Sequence, residues 1–592
     1  MTNARELAEE WLRLDQDPTT REDVKQLLVE GKEDELKERM NPRIAFGTAG
    51  LRGPMQAGFA RLNSLTVIQA SQGLAEYLLE QESDVRHRGV VIGRDARHNS
   101  LKFAKLAAAA FVAKNIRVWL YSDPVHTPLV PFGVGELGAA AGVMVTASHN
   151  PAKDNGYKVY WSNGCQIIPP HDKGIADAIL RNLEPVTWDT SVVDEDHLLI
   201  ESAIGLVEEA YFRAVRRGTV PEDATAFPPA PEGLRFVYTP MHGVGLPFME
   251  RAAKDLGFSV SDIVIVKEQA QPDPNFPTVV FPNPEEKGAL DLAMKTADGE
   301  RISLILASDP DADRLAVAEK VDGKWIQFSG NQLGILLASY ILSSWRDSTI
   351  NCSSRDQELA MLASTVSSTM LATFAEREGF YYAETLTGFK WLGNVSKHLD
   401  SKGYKTVFAF EEALGYMIPS VVSDKDSIAA AAVFLTAAGE WQRQGLTPYR
   451  KLQELFKTYG YFEDVNTYLI SPSPGATNAV FQSIRSSAGD KPYPAQLGSR
   501  KVLRWRDLTE GYDSATDDHE PVLPVSKESQ MITCEVEGGV RFTIRGSGTE
   551  PKVKLYVEGK GASEDEARAA AKDVLDLLLR EWIKPEFGLK LP

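Results

Sequence analysis

The sequence predicts an α/β protein that is built from several domains. Its 592 residues exceed what one hydrophobic core usually serves, and length alone suggests about four domains. From Arg43 onward, apolar strands such as RGVVIGRDAR and IRVWLYSD alternate with helices such as LKFAKLAAAAFVAKN. The same alternation recurs twice downstream, which indicates repeated α/β units.

Composition narrows the class of protein. Apolar residues make up 43% and charged residues 25%, which are the proportions of an ordinary globular protein. The formal net charge of −18 argues against nucleic acid or an anionic membrane as partner. The three cysteines (Cys165, Cys352 and Cys534) form no close pair, which favours a reducing compartment. No apolar signal segment or long apolar run occurs, so we expect a cytosolic protein.

The two ends of the chain differ from its middle. Apolar residues at helical spacing predict one or two surface helices before Pro42. Near the other end, GGVRFTIRGSGTEPKVKLYVEG predicts two strands around a turn, and EDEARAAAKDVLDLLLREW predicts an amphipathic helix. This block indicates an α+β tail domain. Proline-rich or polar stretches predict linkers at residues 221–233, 471–478 and 511–529.

Four loops follow predicted strands, where the ligands of open α/β sheets tend to bind. The first loop is TASHNP at residues 146–151, where an apolar strand leads into Ser148 and His149. Pro151 prevents a helix from continuing there. On these residues alone, an ordinary polar turn explains the loop as well as a functional one.

The second loop, DPDADR, carries Asp309, Asp311 and Asp313 at alternate positions. Three carboxylates this close repel one another unless a cation lies among them, so a hard divalent ion is the natural occupant. An EF-hand is excluded because Arg314 and Lys320 replace the glycine and the bidentate glutamate that it needs. Oxygen ligands without a nearby histidine or cysteine favour Mg²⁺ over zinc.

The third loop, FEEALG, places Glu411 and Glu412 at a strand end, where they could accept hydrogen bonds from sugar hydroxyls. Surface acids without a function explain this pair equally well. Upstream, TGFKW contains Lys390 among apolar neighbours. A desolvated lysine can donate or accept a proton, but its stem can also simply cover apolar surface.

The fourth loop, RGSGTEP, combines glycines with Arg545, Ser547 and Thr549. Glycines let backbone N–H groups approach an anion, and an arginine adds charged donors, so the loop is a candidate phosphate site without Walker spacing. A tight hairpin would explain the glycines but not Arg545.

In this order and at this spacing, the four loops resemble those of the α-D-phosphohexomutase superfamily. TASHNP resembles its phosphoserine loop, DPDADR its metal loop, FEEALG its sugar loop and RGSGTEP its phosphate loop. FGTAGLRG at residues 46–53 resembles the entry segment that brings an arginine into the active site. The segments GTAGLRG, TGFKWLGN and FEEALGYM are most similar to those of the phosphoglucomutase-2 branch, known for phosphopentomutase activity, and of its glucose 1,6-bisphosphate synthase relative.

The resemblance implies a fold of four domains around a central cleft: three related α/β domains and a C-terminal α+β domain. We expect residues 1–208 to carry the phosphoserine loop and residues 209–328 the metal loop. Residues 329–465 would carry the sugar loop and residues 466–592 the phosphate loop. These boundaries follow the predicted linkers and strands.

The resemblance also implies a mechanism and a role for each residue. Phosphorylated Ser148 would donate its phosphoryl group to a sugar monophosphate, and the resulting bisphosphate would return its other phosphate to Ser148. Mg²⁺ would be held by Ser148, Asp309, Asp311 and Asp313. Proton handling is expected of His149 and Lys390, and added positive charge of Arg52 and Arg314. Substrate contacts are expected from nine residues, which include both of these arginines: Arg52, Thr48, Glu411, Ala413, Arg314, Arg545, Ser547, Gly548 and Thr549.

The substrates expected are small sugar phosphates. Ala413 stands where the commoner phosphoglucomutase pattern has a serine, so we expect activity on the 1- and 5-phosphates of ribose and deoxyribose as well as on glucose phosphates. Glucose 1,6-bisphosphate is the expected activator and a monomer the expected state. The alternatives are a phosphomannomutase or phosphoglucosamine mutase, a glucose 1,6-bisphosphate synthase, and a catalytically silent phosphosugar-binding regulator.

Overall fold

A computed structural model describes residues 4–195, 197–219, 233–350, 357–547 and 552–591. The chain divides into two compact units, Met1–Leu362 with Gly388–Pro448 and Ala363–Thr387 with Tyr449–Pro592. Residues 221–232 of the first predicted linker lie outside the described part. No helix within the described ranges has both the length and the apolar character needed to cross a membrane.

The first unit begins with three helices, where the sequence predicts one or two. They are α1 (Ala4–Leu14), α2 (Pro18–Val29) and α3 (Glu33–Met40). The prediction was wrong because Asp17 interrupts the run: its carboxylate accepts a hydrogen bond from the N–H of Thr19, and Pro18 occupies the first helical position. Trp11 packs edge-on against Phe59, which fixes the helices onto the following segment.

The first sheet confirms the predicted α/β alternation. Its region contains β1 (Leu51–Pro54), α4 (Ser64–Gln81), α5 (Val85–Arg88), β2 (Val90–Arg94), α6 (Ser100–Ala113), β3 (Val118–Leu120), α7 (Leu129–Leu137), β4 (Ala141–Val145), β5 (Asp154–Trp161), α8 (His171–Arg181), α9 (Ser191–Asp194) and β6 (Ile200–Glu201). The strand order is β1-β5-β4-β2-β3-β6, with β2 parallel to β3 and β4. The ends of β2 and β4 therefore lie at the same edge of the sheet.

The second sheet has five strands. Its region contains α10 (Ile204–Gly218), β7 (Phe236–Thr239), α11 (Leu246–Asp255), β8 (Ile263–Ile265), α12 (Asp291–Glu300), β9 (Leu304–Ser308), β10 (Leu315–Val321) and β11 (Lys324–Gln327). The order is β11-β10-β9-β7-β8, and β9 and β10 form an antiparallel hairpin around the aspartate loop. Gly243 permits the turn after β7 to press on that loop, because a Cβ there would lie 2.3 Å from Pro310 Cα.

The third sheet has four strands and carries the glutamate loop. The next elements are α13 (Gly330–Ile350), β12 (Glu358–Ser364), α14 (Met370–Glu378), β13 (Tyr381–Thr385), α15 (Phe389–Ser401), β14 (Tyr404–Glu411), β15 (Gly415–Met417) and α16 (Ser427–Arg443). β14 lies between β12 and β15 and pairs with β15 in antiparallel register, Glu411 opposite Gly415. The loop after β14 is therefore a tight hairpin.

The second unit contains the predicted α+β domain. Its further elements are α17 (Pro448–Tyr459), β16 (Tyr461–Asp464), β17 (Thr467–Ile470), α18 (Pro474–Ser486), β18 (Gln496–Leu497), β19 (Arg500–Asp507), β20 (Tyr512–Asp513), β21 (Met531–Val536), β22 (Val540–Gly546), β23 (Lys552–Gly561) and α19 (Glu564–Leu577). The eight strands form one sheet, in which six follow the path β16-β23-β22-β21-β19-β18. The other two lie off this path: β17 pairs with β23 and β20 with β19. The predicted hairpin and its following helix are β22, β23 and α19.

Two predicted linkers in this unit are wrong. Residues 471–478 contain the start of α18, because the Ser473 hydroxyl caps the helix and Pro474 begins it. Residues 511–529 connect strands of one sheet: β20 pairs with β19, and Leu523 is buried. Serine, proline and polar residues are typical of linkers, but here they act as a helix cap and as a connection within a domain.

Candidate active site

Ser148 lies in a constrained loop, as the third residue after the end of β4. Its backbone φ is +54°, in the left-handed region that non-glycine residues seldom occupy. The N–H of Ser148 donates to Thr146 Oγ1 over 2.9 Å, and the residue is only 2% exposed. The loop therefore holds one serine hydroxyl in a single direction.

Arg97 holds this loop from the end of β2. Its guanidinium donates to the carbonyl oxygens of Ser148 (2.5 Å), Asn150 (2.6 Å), Pro151 (2.9 Å) and Asp154 (3.2 Å). One buried side chain thus satisfies four carbonyl groups that irregular backbone would otherwise leave unpaired. The sequence analysis did not single out Arg97. The polar end of the strand RGVVIGRDAR, at the edge where β4 also ends, is the signal that could have identified it.

The Ser148 hydroxyl meets two other predicted residues. Oγ donates to Asp309 Oδ2 over 3.1 Å and lies 3.2 Å from His149 Nδ1. Burial, together with the positive charges of Arg314 and Arg52, holds the pKa of His149 well below its ordinary value. The imidazole is therefore neutral at pH 7 and can accept a proton.

The three predicted aspartates form a buried cluster. Asp309, Asp311 and Asp313 are each at most 1% exposed, and one carboxylate oxygen from each lies within 4.8 Å of the others. Asp309 Oδ1 accepts the N–H groups of Asp313 (3.1 Å) and Arg314 (3.0 Å), which shapes the loop. Burial, with repulsion from Asp313 and Asp311, raises the pKa of Asp309 well above its ordinary value.

Two lysines that the sequence analysis missed neutralise part of this charge. Lys158 on β5 contacts Asp311 Oδ2 (2.9 Å) and Asp313 Oδ2 (3.0 Å), and Lys425 also pairs with Asp313. Thr127 Oγ1 donates to Asp311 Oδ2 over 2.6 Å. Although burial opposes it, Lys158 and Lys425 hold the pKa of Asp311 well below its ordinary value.

The cluster also fits a divalent cation. Among the residues described, Asp311 Oδ1 and Asp313 Oδ1 are buried and have no hydrogen-bond partner. A buried carboxylate oxygen without a partner is costly, and hard oxygen ligands are those that Mg²⁺ or Ca²⁺ prefers. Asp309, Asp311 and Asp313 could therefore hold a metal ion next to the Ser148 hydroxyl.

Arg52 and Arg314 lie beside the serine and aspartate loops. Arg52 is on β1 and its Nη1 lies 3.5 Å from Asn150 Oδ1, at the rim of the serine loop. Arg314 directly follows the aspartate cluster, and its Nε is buried without a hydrogen-bond partner within the described ranges. Both guanidinium groups lie close enough to His149 to lower its pKa. They therefore bring positive charge close to Ser148, the neighbouring residue.

Lys390 and Glu411, two further predicted site residues, each form a hydrogen bond to another predicted segment. Lys390, in the first turn of α15, donates a hydrogen bond to Thr48 Oγ1 of the entry segment. Glu411, the last residue of β14, accepts the N–H of Gly388, so TGFKW and FEEALG lie together. Burial and the charge of Glu412 raise the pKa of Glu411 to about 7.

The remaining predicted residues lie at turns. Ala413 is half-buried in the hairpin after β14, next to Leu414, whose φ is +59°. In the second unit, Arg545 lies on β22 opposite Lys554, and the N–H of Ser547 donates to Lys552 O over 2.8 Å. Gly548 and Thr549 lie outside the described residues.

Four family models match this chain. Three describe the α/β/α domains I, II and III of phosphoglucomutase/phosphomannomutase and cover residues 43–185, 209–323 and 329–459. A fourth describes the C-terminal domain and covers residues 515–577. The chain belongs to the phosphoglucomutase/phosphomannomutase family. This phosphosugar mutase therefore has the four-domain architecture that the sequence predicts, and it is a phosphotransferase enzyme.

Several relatives of this mutase span nearly its whole length. The Schizosaccharomyces pombe protein named "probable phosphoribomutase" is 48% identical over 99% of both chains. The mouse phosphopentomutase is 45% identical over 93% of this chain and 89% of its own. The human glucose 1,6-bisphosphate synthase is 40% identical over 97% of this chain and 94% of its own.

Solved structures share the fold at lower identity. A phosphoglucomutase/phosphomannomutase family protein from Burkholderia thailandensis superposes with a TM-score of 0.65 over 93% of this chain and 100% of its own. The two sequences are 18% identical, so this likeness concerns the fold alone.

Proposed function

We propose that this mutase interconverts the 1- and 5-phosphates of ribose and deoxyribose and the 1- and 6-phosphates of glucose. A phosphorylated Ser148 and a bisphosphorylated sugar are the intermediates. One observation carries the proposal: the Ser148 hydroxyl lies 3.1 Å from Asp309, in a buried carboxylate cluster with two unpartnered oxygens. The identities of 48% and 45% to a phosphoribomutase and a phosphopentomutase, against 40% to the synthase, support pentose substrates.

In the transfer step, the bond between phosphorus and Ser148 Oγ breaks while a new bond forms to a sugar hydroxyl oxygen. The hydroxyl loses its proton as it attacks, and neutral His149 beside Ser148 is placed to accept it. Lys390 is the second candidate for proton transfer. Arg52 and Arg314 stabilise the charge that develops on the transferred group.

Asp309, Asp311 and Asp313, with an oxygen of phosphorylated Ser148, are the proposed ligands of Mg²⁺. When bound, the ion would supply positive charge that neutralises the phosphoryl oxygens. The unpartnered oxygens of Asp311 and Asp313 support this assignment. Lys158 and Lys425 balance part of the negative charge and hold the pKa of Asp311 well below its ordinary value, although burial opposes this.

The substrate contacts follow from the resemblance to the family. Glu411 accepts hydrogen bonds from sugar hydroxyls, and Ala413 leaves out one hydroxyl contact. Thr48 contacts the bound substrate, and its hydroxyl accepts a hydrogen bond from Lys390, the second candidate for proton transfer. The phosphate that does not react is held by a set of donors in the fourth loop: Arg545, Ser547, Gly548 and Thr549.

The wider assignments rest on the sequence. We assign the serine, metal, sugar and phosphate loops to domains at residues 1–208, 209–328, 329–465 and 466–592. Glucose 1,6-bisphosphate is the proposed activator, because a bisphosphate can phosphorylate an unmodified Ser148. A monomeric state and a cytosolic location stay predictions.

The substrate proposal is tested by comparing kcat/KM for ribose 1-phosphate, deoxyribose 1-phosphate and glucose 1-phosphate, with and without glucose 1,6-bisphosphate. We expect the pentose phosphates to be used at least as efficiently as glucose 1-phosphate. A hundredfold preference for glucose 1-phosphate would contradict the pentose assignment. The synthase alternative predicts net bisphosphate formation when a glycolytic phosphate donor is supplied, and product analysis of the same reactions distinguishes the two.

A further inference from the structure

A cavity of about 700 Å³ lies between the start of α2, the first turns of α6 and the segment that contains Trp188. Its size is within the range of small-molecule sites in proteins. None of the residues assigned above to catalysis, metal or substrate lines this cavity. It therefore offers a second place where a small molecule could bind.

The charge of the lining selects an anion. Arg94, Arg97, Lys102 and Lys105 line the cavity, and Asp17 is the single carboxylate among the lining residues. The Asp17 carboxylate is already occupied, since it pairs with Lys102 and accepts the Ser64 hydroxyl over 2.9 Å. Arg97 pairs with Asp95 and Lys105 with Asp194, so Arg94 is the lining cation that forms no ion pair with a described residue.

Two lining residues carry buried donors that lack a partner. Arg94 Nε and Trp188 Nε1 are buried and make no hydrogen bond to any described residue. The other guanidinium nitrogens of Arg94 donate to Ser122 O (3.1 Å) and Asp95 O (3.3 Å), so its position is fixed. Buried N–H groups rarely stay unpaired, and a small rotation of Trp188 would bring its N–H within reach of an oxygen atom of an anion in the cavity.

The remaining lining is apolar and adds a second requirement. Leu101, Leu106, Pro18 and the ring of Trp188 form this part of the wall. An inorganic anion would leave that surface in contact with water, whereas an organic body would cover it. The lining thus matches a small molecule with a phosphate at one end and an apolar group at the other.

Arg97 connects the cavity with the active site. It lines the cavity, pairs with Asp95 at 3.2 Å and donates to the carbonyl oxygens of Ser148 and Asn150. We propose that the cavity binds a small organic phosphate with an apolar body, and that its occupancy alters turnover through the contact of Arg97 with the Ser148 loop. This regulatory site is additional to the substrate site.

Binding is tested by isothermal titration calorimetry on the full chain, with adenosine 5′-monophosphate as the probe. Adenosine and inorganic phosphate are matched controls that each present one half of the probe. We expect saturable binding of the monophosphate and binding weaker by about tenfold or more for each half alone. Lack of monophosphate binding, or equal binding of one half, would overturn the proposal.

Two variants place the binding in this cavity. Lys105→Gln removes one lining charge and should weaken binding of the monophosphate about tenfold. Lys114→Gln is its control: both lysine side chains are 27% exposed and paired with a carboxylate, but Lys114 does not line the cavity. Leu101→Trp fills the space without changing charge and should also weaken binding. Equal affinity in all three variants would place the ligand elsewhere.

The link to catalysis has its own readout. Saturating monophosphate should change kcat of the native enzyme by about twofold or more, and should leave kcat of Leu101→Trp unchanged. The basal kcat of Leu101→Trp should equal that of the native enzyme, because Leu101 contacts no catalytic group assigned above. An unchanged kcat in the native enzyme would refute the regulatory role, and an equal change in both proteins would assign it to another site.

Discussion

The hydroxyl of Ser148 donates a 3.1 Å hydrogen bond to Asp309, although 161 positions separate the two residues in the chain. Asp309 directly follows β9, and Ser148 is the third residue after the end of β4. The contact therefore joins the ends of two different sheets within the first unit. It places a nucleophilic oxygen at the edge of a buried carboxylate cluster.

We expect Ser148→Ala to lower mutase kcat by at least about three orders of magnitude, because it removes the hydroxyl that is the proposed carrier of the phosphoryl group. Intact-mass analysis should detect a phosphate adduct on the native protein that the variant lacks. Ser148→Gly is the control for structure. At φ +54° glycine avoids the strain that alanine keeps, so Ser148→Gly should be more stable than Ser148→Ala by about 1 kcal/mol in denaturant unfolding. Full turnover in either variant would exclude Ser148 as the phosphoryl carrier.

The aspartate cluster predicts dependence on a divalent cation. Chelation with EDTA should abolish turnover, added Mg²⁺ should restore it, and Asp311→Asn should remove nearly all activity. Asp322→Asn, in the turn between β10 and β11, is the matched control and should keep full activity. Undiminished turnover in excess EDTA would contradict a metal role for the cluster.

Lys158 is predicted to stabilise the fold by neutralising buried carboxylates. Lys158→Gln leaves Asp311 and Asp313 short of one cation, so it should lower the free energy of unfolding by roughly 3–5 kcal/mol in EDTA. The loss should be smaller in saturating Mg²⁺, because a bound ion supplies positive charge. Lys320→Gln breaks an exposed pair with Asp298 and should change stability little. Equal effects of the two substitutions would show that Lys158 does not balance the cluster.

Local patterns in the sequence identified the loops, but not the side chains that support them. Asp309, Asp311 and Asp313 are recognisable because their spacing lies within one loop. Lys158 contacts them from more than 150 positions away, and Arg97 reaches Ser148 from the loop that follows β2. Such contacts depend on strand order, which no short motif encodes. A lysine inside the apolar strand DNGYKVYW was nevertheless a usable signal, since a buried cation needs a partner.

The same limit applied to the fold. The alternation of strands and helices predicted the α/β domains because it repeats over many residues. The linkers near residues 471–478 and 511–529 were wrong because serine and proline occur both in linkers and at helix starts. Distinguishing these two cases requires knowing what the following helix packs against, as Val480 and Phe481 do in the second unit.

Asp426 predicts a pH dependence of stability. It caps α16 and accepts the Tyr211 hydroxyl over 2.7 Å, and burial raises its pKa to about 7. The unfolded chain releases this proton near pH 4, so the contribution of Asp426 to stability should fall between about pH 4 and pH 7 and stay constant above. Asp426→Asn keeps a capping oxygen without the charge.

Denaturant unfolding of native protein and Asp426→Asn from pH 4.5 to 8 measures this effect. The variant should gain stability relative to the native protein by roughly 2–4 kcal/mol over that range. Asp17→Asn is the contrasting helix cap. Although burial opposes it, Lys102 and Ser64 lower the pKa of Asp17, so this substitution should show no such gain. A constant difference between Asp426→Asn and native protein would contradict a raised pKa.

Substrate preference is predicted to depend on Ala413. It lies in the hairpin that Glu411 and Gly415 close, so a hydroxyl at this position would stand two residues from the proposed sugar ligand Glu411. A site that hydrogen-bonds a given hydroxyl discriminates strongly against a sugar that lacks it, because its own polar group is then left unpaired. Without that hydroxyl, a pentose phosphate should lose less binding energy relative to a hexose phosphate. Ala413→Ser should therefore raise the ratio of kcat/KM for glucose 1-phosphate over ribose 1-phosphate, by about threefold to tenfold for one hydrogen bond.

Serine fits the turn without a large change in volume, and Ala413→Gly serves as the control that alters the backbone without adding a hydroxyl. If Ala413→Ser leaves the ratio unchanged, or if Ala413→Gly shifts it equally, another loop sets the preference.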